Sequence, residues 1–303
     1  MHVVVIGAGA IGSYVGAALA QSGHDVTFLA RPAQCEALRV HGLKYDTANG
    51  QQSVSVKVVS QAQDLRLADF VLVCVKSADT DQAGRDLIPA LQPSTVIFSL
   101  QNGVENVQSL ETVIHRPVVP VAVYIAVSML AAGHVVHHGG NRLVMGEADT
   151  TETSANNAAL FAQAGFAVTV SSQIMTVLWE KLMVNCAYNG LSALSQMPYA
   201  RMMQTDGVQD VMVTLVQECQ AVACALGIPS SPDFMTNLLT IASAMPEQMS
   251  STAQDLRRGK PTEIEALNGY IVRKGRELGV VTPANQVILV LTRLAEQSHC
   301  LAR

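Results

Sequence analysis

Short apolar runs rich in β-branched residues dominate the first half of the chain: VVVI at 3–6, VTFLA at 26–30, VSVKVV at 54–59, FVLVCV at 70–75 and TVIFSL at 95–100. Segments of helical length, such as 11–22 and 78–91, separate several of them, and strands alternating with helices predict βαβ units in a parallel sheet. Four more runs, VVPVAVYIAV at 118–127, HVVHHGG at 134–140, RLVMGE at 142–147 and FAVTV at 166–170, predict the far edge of the same sheet, partly antiparallel. Past residue 171 the texture changes to long segments with helical apolar spacing: 173–196, 207–226, 232–245, 262–278 and 284–298. Gly227 and Gly279 fall just past helix ends, and Pro261 and Pro283 near helix starts, as helix punctuation requires. The pattern predicts two domains: a doubly wound α/β domain over 1–171 and an all-helical domain over 172–303.

Within this pattern Gly7, Gly9 and Gly12 form GxGxxG directly after the first strand and at the opening of helix 11–22. That setting is the one a dinucleotide-binding, Rossmann-type turn needs. Gly7 serves the tight turn, Gly9 lets backbone amides approach a pyrophosphate, and Gly12 allows close packing of helix on strand. An NAD-selective site carries an acidic residue at the end of the second strand. This chain has FLARP there, and the guanidinium of Arg31 suits a 2′-phosphate, so NADP(H) is expected. Lys76 and Asn102 follow the fourth and fifth predicted strands, at the carboxyl edge where ligands of open α/β sheets bind.

In the helical half, KLMVNCAYNG at 181–190 sets Lys181, Asn185 and Asn189 four residues apart among apolar neighbours. At 100° per residue the three spread over roughly 80° of one helix face and can project into one cavity. Ser192 returns to nearly the same direction. Further on, MSSTAQDLRRGKPTEIEALNGY reads locally as a capping serine and a first-turn acid, Glu263.

Composition narrows the classes. Of 303 residues 49% are hydrophobic and 14% charged, which fits a large globular interior and no disordered chain. A net charge of -5 with 19 scattered basic residues gives no footprint for nucleic acid. No apolar stretch has the length and flanks of a membrane span or signal peptide, so a cytoplasmic protein is expected. The six cysteines (35, 74, 186, 219, 224 and 300) form no CxxC pair, and a reduced compartment is the simplest reading. Cys219 and Cys224 are expected in the core, as are the methionines of the helical half. His134, His137 and His138 alternate across a strand and are not expected to share a metal ion. The apolar helix 207–226 leaves two packings open, inside its own domain or against a second copy in a homodimer.

Taken together, GAGAIG, LAR, VKS, QNG, KLMVNCAYNGLSAL and SSTAQDLRRGKPTEIEALNG, in this order, resemble the ketopantoate reductase (2-dehydropantoate 2-reductase) family along essentially the whole chain. The resemblance implies NADPH-dependent reduction of a 2-oxo acid, ketopantoate to (R)-pantoate in pantothenate and coenzyme A biosynthesis, at a cleft between a Rossmann-type and a helical domain. It implies Lys181 as proton donor, with Asn185, Asn189 and Ser251 on the substrate's hydroxyl and carboxylate. It also implies cofactor contacts from Gly7, Ala8, Gly9, Ala10, Ile11 and Gly12, and from Arg31, Lys76, Asn102, Ala126 and Glu263, with Asn102 also near substrate. The chain departs from the family at Tyr199, where many members carry a small or amide residue in the loop after this helix. That departure keeps open a paralogue acting on another branched or aromatic 2-oxo acid. A non-catalytic NADP-binding sensor is a third reading, and it would not need Lys181 and the asparagines.

Overall fold

The computed structural model describes residues 1–148 and 150–301, the side chains of 299–301 excepted. It divides into two compact units, Met1–Ile174 and Met175–Arg303, so the division falls three residues beyond the 171/172 boundary read from the sequence.

The first unit runs β1 (His2–Ile6), α1 (Ala10–Gln21), β2 (Asp25–Leu29), α2 (Pro32–His41), β3 (Leu43–Thr47), β4 (Gly50–Val54) and β5 (Lys57–Val59). It continues with β6 (Phe70–Val73), α3 (Thr80–Leu87), β7 (Val96–Ser99), α4 (Asn106–Ile114), β8 (Val119–Ala131), β9 (His134–Gly146), α5 (Thr151–Gln163) and β10 (Ala167–Ser171). The strands form one sheet in the order β4-β3-β9-β8-β7-β6-β1-β2-β5, with β10 also on β9. The stretch β8-β7-β6-β1-β2-β5 is parallel throughout. Val3 and Val5 of β1 enter one apolar cluster, with Phe28, Phe98 and Phe161, while Val4 and Ile6 enter another, with Leu87 and Leu110. Burial on both faces is why VVVI is apolar without alternation.

Two strand expectations are corrected. The single run 54–59 is two strands: Val54 ends β4 at one edge of the sheet, while Lys57 starts β5 at the other. The two runs at 134–140 and 142–147 are one 13-residue strand, β9, antiparallel to β8 and broken in register around Ala126.

The second unit is helical: α6 (Ile174–Ser195), α7 (Tyr199–Met203), α8 (Val208–Ala225), α9 (Phe234–Ala244), α10 (Ser251–Arg257), α11 (Asn268–Leu278) and α12 (Pro283–Leu301). The expected helix 262–278 is a 3₁₀ turn at Ile264–Ala266 followed by α11. Gly190 of α6 gives close approach to α12, since a Cβ there would lie 2.2 Å from Cγ2 of Ile288. Met212, Leu215, Val216, Cys219 and Val222 of α8 are fully buried against α7, α11 and α12, so α8 packs inside its own domain. Cys224 is exposed, against expectation, because five residues turn it about 140° from Cys219. The five described cysteines are free thiols, and Cys300 lies outside the described side chains. Of the helical-half methionines, Met202 and Met212 are buried and Met245 is exposed. No helix among the described residues is long and apolar enough to cross a membrane.

Candidate functional site

From β1 the chain steps to β2 on one side, crosses to the far edge for β3 and β4, comes back to β5 beside β2, and then enters β6 on the other side of β1. This reversal of strand order creates the crevice at which open α/β sheets take ligands. Four consecutive strands, β2, β1, β6 and β7, present there Arg31, the glycine turn, Lys76 and Asn102. With strands about 4.8 Å apart, these groups span on the order of 15 Å, a reach suited to an extended dinucleotide.

The glycine turn fits a pyrophosphate on three counts. Gly7 has φ +102°, and a Cβ there would press on Val75 at 2.9 Å. Gly9 is the N-cap of α1 and supplies no side-chain cap to its amides, while a Cβ on Gly9 would meet no protein atom within 4 Å. The amide-bearing helix start is therefore open to an anion. A Cβ on Gly12 would lie 2.1 Å from the Gly7 carbonyl oxygen, which no side-chain movement relieves. Ala8 is buried under the turn, and Ala10 and Ile11 begin α1. Gly16, passed over in the sequence, also permits a close approach of α1 to β2, because its Cβ would lie 2.3 Å from the ring of Phe28.

Arg31 is the N-cap of α2 and 83% exposed, with Nη2 2.9 Å from Asp79 Oδ2. An ion pair this exposed is worth about 0 to 1 kcal/mol, so Asp79 holds the guanidinium near the edge without committing it. Lys76 and Asn102 each lie three residues past a strand end, in the loops after β6 and β7; β6, the fourth strand expected from the sequence, ends at Val73, two residues short of the expected 75. Ala126 sits on β8 opposite Gly139, between two irregularities of register.

In the second unit Lys181, Asn185 and Asn189 lie on α6, where Lys181 and Asn185 are half-buried and Asn189 is buried. Burial draws the Lys181 pKa down to about 8, and the Glu263 carboxylate opposes that fall. Glu263 immediately precedes the 3₁₀ turn at 264–266. Ser192, expected on the same face, is a brace: its Oγ donates to Met197 O (3.0 Å) and accepts from Ser250 N (3.3 Å). Ser250, not Ser251, caps α10, accepting from Ala253 N (3.0 Å) and donating to Asn189 O (3.1 Å). Ser251 is exposed on the first turn. Asn268, absent from the sequence reading, donates to Cys186 O (3.2 Å), between the two asparagines on α6, and to Asn285 Oδ1 (2.9 Å). Its only sequence signal is an amide inside an otherwise apolar helix start.

Tyr199 does not lie in a loop. It opens α7, buried, with its ring centroid 4.7 Å from that of Tyr188, and burial pushes its hydroxyl pKa well above the usual range. The three histidines go separate ways: His134 to Asp46 (2.9 Å), His137 to Gly140 O (2.6 Å) and onto the Tyr14 ring, His138 to Ser128 (2.8 Å). Among the described residues no group of three metal-ligating side chains occurs.

Residues 3–150 match the family described as ketopantoate reductase PanE/ApbA, and residues 173–296 match its C-terminal domain. The chain is 33% identical over 301 residues to the 2-dehydropantoate 2-reductase of Archaeoglobus fulgidus, covering 97% of this chain and 98% of that one. It is similar to a crystal structure of a PanE/ApbA family ketopantoate reductase from Ralstonia eutropha, with 44% identity, a TM-score of 0.93 and 99% of both chains covered. It is also similar to the dimeric ketopantoate reductase of Staphylococcus aureus, with 25% identity, a TM-score of 0.83 and coverage of 99% and 100%.

Proposed function

The chain belongs to the ketopantoate reductase family, and on that premise we propose that it reduces 2-dehydropantoate to (R)-pantoate with NADPH. The observation that carries this reading is the α6 stripe, a lysine with a pKa drawn down to about 8 beside Glu263 and in line with two asparagines. Full-length relatives that bear this activity in their names support it.

When bound, the cofactor supplies a hydride from its nicotinamide C4 to the C2 carbonyl carbon. The residues of this chain do the rest. Gly7 to Gly12 receive the pyrophosphate on backbone amides at the start of α1, and Arg31 meets the 2′-phosphate that distinguishes NADPH from NADH. Lys76, Asn102 and Glu263 hold the remaining polar groups of the cofactor, with Ala126 beside it. Lys181 offsets the negative charge that grows on the C2 oxygen and gives that oxygen its proton. Asn185, Asn189 and Ser251 grip the hydroxyl and carboxylate without adding charge. A pKa near 8 leaves the ammonium protonated at neutral pH yet able to release its proton.

A panel of 2-oxo acids, run with NADPH and with NADH, tests this assignment. The highest kcat/KM is expected for ketopantoate with NADPH. A clear preference for another branched or aromatic acid would replace the substrate, and equal turnover with NADH would remove the role of Arg31. Tight NADPH binding with no oxidation by any acid would leave only a sensor.

A homodimer is part of the same reading. Its support is an exposed apolar stripe on α12, Val287, Val290, Leu291 and Leu294, at the i, i+3, i+4, i+7 spacing that lines one helix face, together with the dimeric relative.

A further inference from the structure

The loops after β6 and β7 are joined by a run of buried side-chain hydrogen bonds, although none of these groups belongs to the reaction described above. Ser99 Oγ donates to Gln101 Oε1 (3.0 Å), and Gln101 Nε2 donates to Thr80 Oγ1 (2.8 Å) and to Val75 O (3.2 Å). Thr80 Oγ1 donates to Asn106 Oδ1 (2.9 Å), and Asn106 Nδ2 donates to Ser77 Oγ (3.1 Å) and to Asn102 O (2.5 Å). Ser77 Oγ also donates to Asn102 O (3.3 Å). Thr80, Ser99, Gln101 and Asn106 are all buried.

The bonds run in one direction only. Thr80 accepts from Gln101, so its single proton goes to Asn106 Oδ1. With its oxygen so engaged, Asn106 must turn Nδ2 toward Ser77 and Asn102. Neither amide can flip without setting its oxygen against a backbone carbonyl, Gln101 Oε1 against Val75 O or Asn106 Oδ1 against Asn102 O, and a polar group so mispaired costs about 1 to 3 kcal/mol. A network in which each amide is matched on both its oxygen and its nitrogen selects one geometry for the loops it joins. The groups it holds are telling. Val75 and Ser77, on either side of Lys76, are each held by it, as is the carbonyl of Asn102 itself.

We propose that Asn106, with Thr80 and Gln101 behind it, is a positioning residue that fixes Lys76 and Asn102 where they meet the cofactor. This rests on the cofactor role given above to those two side chains. Asn106 touches no reacting group and acts through Asn102 and Ser77. A cofactor site built on two separate loops needs such a cross-brace, because loops after strands are otherwise the mobile part of the sheet edge.

The test is direct NADPH binding by the fluorescence of the bound nicotinamide, with no substrate present, in two backgrounds. Asn106→Asp keeps the shape and the Oδ1 acceptor but exchanges two donors for an acceptor. Thr80→Val removes the linking hydroxyl at nearly constant volume and adds no charge. Each is expected to weaken NADPH binding about five- to tenfold in the natural chain, the worth of one net hydrogen bond. In a Lys76→Ala/Asn102→Ala background the same changes are expected to weaken it less than about twofold, because no side chain is left to position. Equal losses in both backgrounds would mean general damage or the added charge of the aspartate, and would overturn the inference alone. Unchanged binding by both variants in the natural chain would do the same. If Lys76→Ala/Asn102→Ala itself binds NADPH as the natural chain does, the cofactor role of those side chains falls, and the inference falls with it.

Discussion

Lys181 is where burial and charge are most finely opposed. Desolvation lowers its pKa from 10.5 to about 8, and Glu263 pulls the other way. A proton donor must be charged to act, so the rate of reduction is expected to fall as pH rises through about 8. Replacing Glu263 by Gln removes the anion that favours the ammonium, so the midpoint of that fall moves to lower pH; a pH profile of kcat at saturating cofactor reads both. Lys181→Ala should lower kcat by roughly 10²-fold or more with NADPH binding largely kept, and a variant of near-natural activity would end its assignment. Lys181 and the asparagines of α6 were legible in the sequence as a stripe from spacing, whereas Glu263 read locally only as a first-turn acid. The capping serine of SxxxQD is Ser250, as its spacing indicates, while the exposure of its neighbour Ser251 became visible only with the start of α10.

At the scale of elements, glycine sets how closely two of them approach. Gly12 against the Gly7 carbonyl and Gly190 against Ile288 both leave no room for a methyl group, but the obstacles differ. Backbone cannot move aside, whereas Cγ2 of Ile288 belongs to a side chain. Gly190→Ala is therefore expected to destabilise the helical domain by about 1 to 3 kcal/mol through overpacking. In an Ile288→Ala background the same change should cost much less, since the obstructing methyl is gone; urea denaturation of the four proteins measures the coupling. The start of α12 is secured from a distance as well: Glu218 of α8 accepts from Ala284 N (2.8 Å), Asn285 N (2.9 Å) and Asn285 Nδ2 (2.7 Å). A carboxylate at a helix N-terminus meets unpaired amides and the positive end of the dipole, which accounts for an acid in an apolar helix.

For the whole molecule, the open question of the sequence was which apolar surface a second copy would cover. The structure consumes α8 internally and leaves the stripe on α12 outside. Light scattering on a sizing column is expected to give twice the 32.2 kDa of one chain, and Leu291→Glu is expected to shift it to one. A dimer unaffected by that change would place the contact elsewhere. By itself the sequence determined the two-domain plan, the glycine turn and the α6 stripe, because these follow from local rules: period 2 or 3.6 in apolar positions, and conformations that only glycine tolerates. Only the tertiary structure decided that the residues at 54 and 57 stand at opposite edges of one sheet. It also turned Tyr199 inward, and it joined Gln101, Thr80 and Asn106 into one brace. Those outcomes depend on which distant segments meet, and the chain carries no local signal of that, since a buried amide and an exposed one are the same letter.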